Sequence, residues 1–360
     1  MITIERADTS LLRYRLDAPV GGSGVAEVDV IVVDLVDSDG ATGLGFTYVL
    51  GGGGDVVFAA ARGQVERYLR AKPLLPPNAL WRQIAATFNR TGLGPNLVAL
   101  AAIDVAVWDL ESRRRGVPLV AALGGVPRAV RVYGSGGFSA GQSPADAAAA
   151  ASGHARRGLS AVKPRVRGDQ ADLAMIDAVR SALPGDVQVM LDANEKCDLA
   201  TARWLLAAAR DRGVLFVEEP IQASSLKGYR ALARAGGATM AAGEHLQGRS
   251  AFLPFLQEHL IGVVQPDLAM AGGLTPALEI AVLADAYGVS VSPHFLPGLF
   301  VHLAGASPAI AWLEDFPLLE PLFEGWPELQ ANGTLAPRQT PGHGLALAAA
   351  ARAKFERISC

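Results

Sequence analysis

The chain has 360 residues, half of them hydrophobic, with 40 Gly and 22 Pro, a composition that suits one large core with a smaller domain beside it. A formal net charge of −3 argues against nucleic acid as a partner, and no run of about 20 apolar residues offers a membrane span. Two cysteines, Cys197 and Cys360, build no disulfide framework and predict a reducing, cytoplasmic setting.

Met1 to Ser10 alternates apolar and polar residues and lacks the apolar core of a secretory signal. Three strands are expected next, Thr3 to Tyr14, Ala26 to Asp37 and Gly43 to Val49. Asp37-Ser38-Asp39-Gly40 supplies the turn between the last two. Helical patterns follow, clearest from Leu97 to Arg115. The basic run Arg113-Arg114-Arg115 closes that helix, where cations suit the dipole. Pro118 and Gly124-Gly125 end the unit, so residues 1–125 read as a small α+β domain.

From Ala129 the rhythm changes. Short apolar runs alternate with amphipathic stretches: Val130–Gly134, Ala161–Val166, Val187–Asp192, Leu215–Glu218, Met240–Gly243, Ile261–Pro266, Val289–Pro293 and Ala309–Leu313. Helices are expected between them, among them Pro144–Arg157, Asp169–Ala182, Leu199–Asp211 and Thr275–Tyr287. Eight such units predict parallel βαβ connections closed into a (β/α)8 barrel over 126–317. The Pro/Gly-rich remainder, 318–360, is expected to pack back on the first domain.

The strand ends carry the chemistry. They read Lys163-Pro164-Arg165, Asp192-Ala193-Asn194-Glu195, Glu218-Glu219-Pro220, Gly243-Glu244-His245, Gln265-Pro266-Asp267, Ser292-Pro293-His294 and Trp312-Leu313-Glu314. In a barrel all strand C-termini converge on one face. A single acid after a strand is most often a helix cap, but acids recurring in phase over successive strands meet in one mouth. Three carboxylates held together repel, and a hard divalent cation with oxygen ligands removes the repulsion, so Asp192, Glu218 and Glu244 are the expected Mg²⁺ ligands, one ion per chain. Glu219, next along the strand, is expected to point away. Asp267 and His294 end adjacent strands, so the carboxylate can fix the imidazole tautomer and raise its basicity. The other histidines, His154, His259, His302 and His343, have no such partner and are read as structural. Lys163 and Arg165 share a face and suit either neutralising ion pairs or an anionic substrate. His245 is assigned to the substrate. Cys197 is read as a small buried side chain.

Taken together these residues resemble the mandelate racemase branch of the enolase superfamily over nearly the whole chain. The carriers are Ala102-Ile103-Asp104-Val105-Ala106-Val107-Trp108-Asp109 with Pro118-Leu119 and Leu123-Gly124-Gly125, then Leu191-Asp192-Ala193-Asn194, Val217-Glu218-Glu219-Pro220, Gly243-Glu244, and Asp267 with His294. The resemblance implies a modified TIM barrel with an α+β cap, an Mg²⁺-dependent enzyme, a small carboxylate substrate and a homo-oligomer. It implies that Glu314 hydrogen-bonds the substrate carboxylate and that Lys163 contacts it. Asn194 would meet a hydroxyl or the metal shell, Tyr133 and Ser135 the substrate, and loops Gly21–Gly24 and Gly51–Gly54 would set specificity. The family's Lys-x-Lys is here Lys163-Pro164-Arg165, and an arginine is a poor base near neutral pH; Met270 stands where the muconate-lactonizing relatives carry a lysine. With His294 as the competent base, Mg²⁺ and Lys163 would stabilise an enediolate, and loss of a β-hydroxyl would follow. That predicts a sugar-acid dehydratase. Racemisation or epimerisation of a 2-hydroxy acid is the alternative. A Schiff-base aldolase on Lys163 and a non-catalytic barrel rank below both.

Overall fold

The computed structural model describes residues 2–20, 24–354 and 356–359. Gly21 to Ser23 of the first specificity loop, and Cys360, lie outside these. An antiparallel sheet opens the chain: β1 (Ile4–Val20), β2 (Val25–Asp37) and β3 (Thr42–Leu50). Asp37 makes the turn as its residue type predicts, its Oδ1 accepting from the amides of Asp39 and Ala41 at 2.9 Å each. Helices α1 (Gly54–Tyr68), α2 (Pro77–Ala85) and α3 (Gly94–Arg114) complete this cap.

Helix α3 is apolar almost all round because both sides are covered, by the sheet on one and the barrel on the other. Its approach to β3 is very close. A Cβ added at Gly45 would lie 2.0 Å from the Ala102 carbonyl oxygen and 2.3 Å from the Ala106 nitrogen. Two buried acids on α3 bind neighbouring amides rather than solvent. Asp109 accepts from Leu44 and His343 at 2.9 Å, and Asp104 accepts from the Thr275 amide at 2.8 Å.

After α4 (Leu119–Ala122) the barrel begins. Its strands are β4 (Val130–Gly134), β5 (Ala161–Val162), β6 (Gln188–Val189) with β7 (Leu191–Asp192) as one broken strand, β8 (Val217–Glu218), β9 (Met240–Ala242), β10 (Val263–Val264), β11 (Ser290–Val291) and β12 (Trp312–Asp315). All pair in parallel, in the orders β12-β4-β5-β6 and β7-β8-β9-β10-β11. The circle closes where Val291 bridges Ile310, so the fold is a modified (β/α)8 barrel. Tyr133, Ala161, Met190, Phe216, Ala241 and Trp312 fill its interior.

Helices α5 (Pro144–Arg156), α6 (Gln170–Ala182), α7 (Leu199–Asp211) and α8 (Leu226–Ala235) surround it, with α9 (Leu253–Gln257), α10 (Leu268–Ala271), α11 (Leu274–Ala286) and α12 (Pro297–Ala306). Ser143, Asp169 and Asp198 cap the N-termini of α5, α6 and α7 through their side chains. The C-terminal segment is shared. Strand β13 (Phe323–Glu324) pairs with β15 (Ala346–Leu347), β14 (Thr334–Leu335) runs antiparallel to the start of β4, and after α13 (Ala349–Lys354) strand β16 (Glu356–Ser359) joins β1 in the cap sheet. No described helix is long and apolar enough to cross a membrane.

Candidate active site

Proline ends the strands that carry the polar groups. Pro164, Pro220, Pro266 and Pro293 each stand two residues past β5, β8, β10 and β11, where a missing N–H interrupts the ladder. The backbone then turns sharply, and Asn194, Glu195, Glu219, Phe295 and Leu296 all have positive φ, from 36° to 61°. The polar side chains are thereby delivered to one mouth.

Deep in it, Lys163 is 1% exposed. Its Nζ pairs with Glu218 and, at 2.9 Å, with Glu314 Oε1, and donates to the Tyr133 hydroxyl at 3.4 Å. Gln265 Nε2 donates to Glu218 Oε2 at 2.8 Å, which leaves Glu218 Oε1 buried and unpartnered. Arg165 Nη1 lies 3.4 Å from Asp192 Oδ2, and its Nε is buried without a partner. The Asn194 amide donates to Asp192 Oδ1 at 2.9 Å, and its Nδ2 to Glu244 Oε1 at 3.1 Å.

The imidazole stands beside this group. His294 Nδ1 is 2.9 Å from Asp267 Oδ2, on a parallel bridge between the two residues, and Nε2 is 3.2 Å from Glu244 Oε2. Tyr48, from β3 of the cap, donates its hydroxyl to the same Asp267 oxygen. The Met270 amide binds the other oxygen at 2.9 Å. Glu314 Oε2 accepts from the Phe295 amide at 2.9 Å.

Burial raises the carboxyl pKa values of Asp192, Glu218 and Glu244, and their mutual repulsion raises them further against the opposing pull of Arg165, Lys163 and His294. Glu314 goes the other way. Burial alone would raise it, but Lys163 and His294 outweigh that and bring it down to about 2. For His294, burial opposes the charge, yet the Glu244, Asp267 and Glu314 carboxylates win and lift the ring to about 10.

Glu219 differs from the sequence expectation. Strand β8 stops at Glu218, so the alternation that would turn Glu219 away no longer applies. Its buried carboxylate meets His245 Nδ1 at 2.5 Å and accepts from the Gly243 amide at 3.3 Å. That hydrogen bond is the main reason His245 rises to about 9. Among the described residues, the group of acid and imidazole donors lying within 4.8 Å of one another is Glu195, Glu219 and His245. Asp192, Glu218 and Glu244 are instead each turned to a cation or amide of their own.

A cavity of about 580 Å³ opens between cap and barrel. Arg165, Asn194, Glu244, His245, Asp267 and His294 line its barrel side, and Val25, Tyr48, Leu50, Val57 and Val98 its cap side. Tyr133 and Ser135 are buried and off this wall. The other described histidines lie elsewhere. His154 and His343 bond the carbonyls of Gly136 and Leu44 at 2.8 and 2.7 Å, and burial lowers His302 to about 3. The Cys197 thiol is buried and raised to about 11. Sequence reasoning missed Tyr48 and Gln265. The first gave no local signal, and the second stood in plain view at a strand end.

Residues 16–124 match the family described as "Mandelate racemase / muconate lactonizing enzyme, N-terminal domain", and residues 145–351 match "Enolase C-terminal domain-like". The L-talarate/galactarate dehydratase of Salmonella typhimurium is 30% identical over 99% of this chain and 92% of its own length. The 3,6-anhydro-alpha-L-galactonate cycloisomerase of Streptomyces coelicolor is also 30% identical, over 99% of this chain and 98% of its own. The crystal structure of L-talarate dehydratase from Polaromonas sp. JS666, complexed with Mg and L-glucarate, is similar with a TM-score of 0.91 at 30% identity, covering 100% of this chain and 99% of that one.

Proposed function

The chain belongs to the mandelate racemase / muconate lactonizing enzyme family of the enolase superfamily, and on that premise we propose that it is a magnesium-dependent hydro-lyase that dehydrates a sugar acid. The observation that carries this reading is His294, braced by Asp267 at one ring nitrogen and facing the acid cluster and the cavity with the other.

Asp192, Glu218 and Glu244 are the residues that would hold Mg²⁺. They supply hard oxygen donors, they resist ionising in one another's company, and Glu218 Oε1 has no partner of its own. When bound, the ion would supply positive charge to offset the negative charge that proton loss places on the substrate carboxylate. Lys163 holds Glu218 and Glu314 at fixed positions, and Glu314, kept ionised by Lys163 and His294, has no proton to give that carboxylate.

In its neutral form, which positive charge among the carboxylates that raise its pKa would favour, His294 Nε2 takes the α-proton while Asp267 holds the Nδ1 proton and the ring's tautomer. The C–H electron pair moves into the carboxylate. It then returns to form the α,β double bond as the β C–O bond breaks, and protonated His294 returns its proton to the departing hydroxyl, releasing water. The resulting enol tautomerises to a 2-keto-3-deoxy acid. Arg165 stays protonated throughout and takes no proton. Racemisation in two-base form is disfavoured for the same reason: it needs a second base facing His294. The same reading makes residues 1–125 a specificity cap, 126–317 the catalytic barrel and 318–360 a segment bracing the cap. It also places the protein in a reducing cytoplasm and expects self-association, which light scattering after gel filtration checks.

Incubation with Mg²⁺ and a panel of aldonic and aldaric acids should yield keto-acid products detectable with semicarbazide. His294→Asn should abolish both product and α-proton exchange with deuterated solvent while Mg²⁺ affinity stays nearly unchanged. Near-normal turnover in that variant would remove His294 as the base. Exchange from both enantiomers of a 2-hydroxy acid without loss of water would favour the racemase instead.

A further inference from the structure

From the cavity wall we infer that the end of the substrate remote from the reacting carboxylate is uncharged, so that the enzyme takes aldonic or terminally deoxygenated sugar acids and rejects aldaric diacids. This rests on the sugar-acid reading above and deepens it.

The wall is two-sided. Its cationic groups stand at the barrel end, and each is already matched to acid: Arg165 to Asp192 at 3.4 Å, His245 to Glu219 at 2.5 Å, and His294 to Asp267 and Glu244 at 2.9 and 3.2 Å. The cap side is apolar, made by Val49, Leu50, Val57 and Val98 around Tyr48. The polar side chains here are neutral. Tyr48 gives its hydroxyl to Asp267, and the Gln247 side-chain oxygen accepts from the Gly94 amide at 3.2 Å.

Among the described residues that line the cavity there is no further cation, and Arg15, exposed on β1, stands opposite Glu27 in the strand register. Residues 16–24 read Leu-Asp-Ala-Pro-Val-Gly-Gly-Ser-Gly, and residues 51–54 are all glycine. Arg13, on the strand leading in, is bound to Asp29 at 2.9 Å and to Asp55 at 3.1 Å. A second carboxylate at this end would be desolvated against aliphatic carbon with nothing opposite it, whereas a methyl or hydroxymethyl group would lose little.

Calorimetric titration of the Mg²⁺-loaded protein decides it, using trios of six-carbon acids that differ only at C6: methyl, hydroxymethyl or carboxylate. Trios of galacto, gluco and manno configuration remove the dependence on one stereochemistry. In the series that binds, the methyl and hydroxymethyl acids should bind about 100-fold or more tightly than the diacid. Leu50→Arg, a change at a part-exposed position on the apolar wall, should narrow that gap roughly tenfold. A diacid that binds as tightly as its partners in the wild-type protein overturns the inference. If no acid binds, both this inference and the reading beneath it fall. If the order holds but no keto acid forms and no α-proton exchanges, the dehydration reading falls and the cavity's preference stands.

Discussion

Asp267 Oδ2 receives two hydrogen bonds, one from His294 Nδ1 and one from the Tyr48 hydroxyl. The phenol is buried at the cavity wall and stacks edge-on to Phe295 at 4.9 Å between ring centroids, so it has little freedom to leave. Tyr48 is a positioning residue: it fixes the carboxylate that fixes the imidazole. Tyr48→Phe keeps the ring packing and removes only the hydroxyl. It should lower kcat about tenfold, the scale of one hydrogen bond to a charged group, while KM and Mg²⁺ affinity stay close to wild type. Steady-state kinetics would show a change confined to KM if the contact served binding alone. This contact was illegible in the sequence because its partners lie 219 positions apart on different domains. His294 with Asp267 was legible, because adjacent strands end one after the other and topology brings their ends together. Glu219 was misread for a local reason. Strand alternation was carried one residue too far, past the point where the backbone turns to a φ of 36°.

Among the elements, β3 and α3 set the geometry of the cap. Gly45 lets the helix backbone sit against the strand, and β3 continues from there to Tyr48 and Leu50 at the cavity. Gly45→Val places carbon where the Ala102 carbonyl already is. Backbone cannot rotate away as a side chain can, so the loss should reach about 3 kcal/mol or more, read as a lower urea midpoint with an unchanged m-value. Helices were the most legible elements, Leu199–Asp211 agreeing in both ends because Asp198 caps it and apolar residues recur at its period. Barrel strands were legible as positions and not as lengths. Ala161–Val166 shrinks to Ala161–Val162, since Pro164 removes a donor the apolar pattern cannot reveal. The cap strand expected to end at Tyr14 runs on to Val20, paired with β2 across an irregularity that no alternation would predict.

At the scale of the whole molecule, Asp104 sits on the seam between cap and barrel, binding the Thr275 amide and hydroxyl at 2.8 and 2.7 Å. Burial raises its carboxyl to about 7 against those hydrogen bonds. Below about pH 4 both folded and unfolded chains hold this proton. Between about pH 4 and 7 only the folded chain does, so its contribution to stability declines as pH rises, by at most about 1.4 kcal/mol per pH unit. Asp104→Asn should flatten that slope in urea titrations run from pH 5 to 8; an unchanged slope would show that the group ionises normally. Chelation of the metal should also be felt globally. Binding to the folded state alone at a hundred times Kd adds about 2.7 kcal/mol, so excess EDTA should lower the thermal midpoint as well as abolish turnover. The cap sheet owes its outer margin to the end of the chain. Without β16, the stretch of β1 from Ser10 to Arg13 would lie open to another molecule's strand. Removal of residues 356–359 should therefore promote association, seen as larger species in light scattering, while the barrel keeps its chemistry.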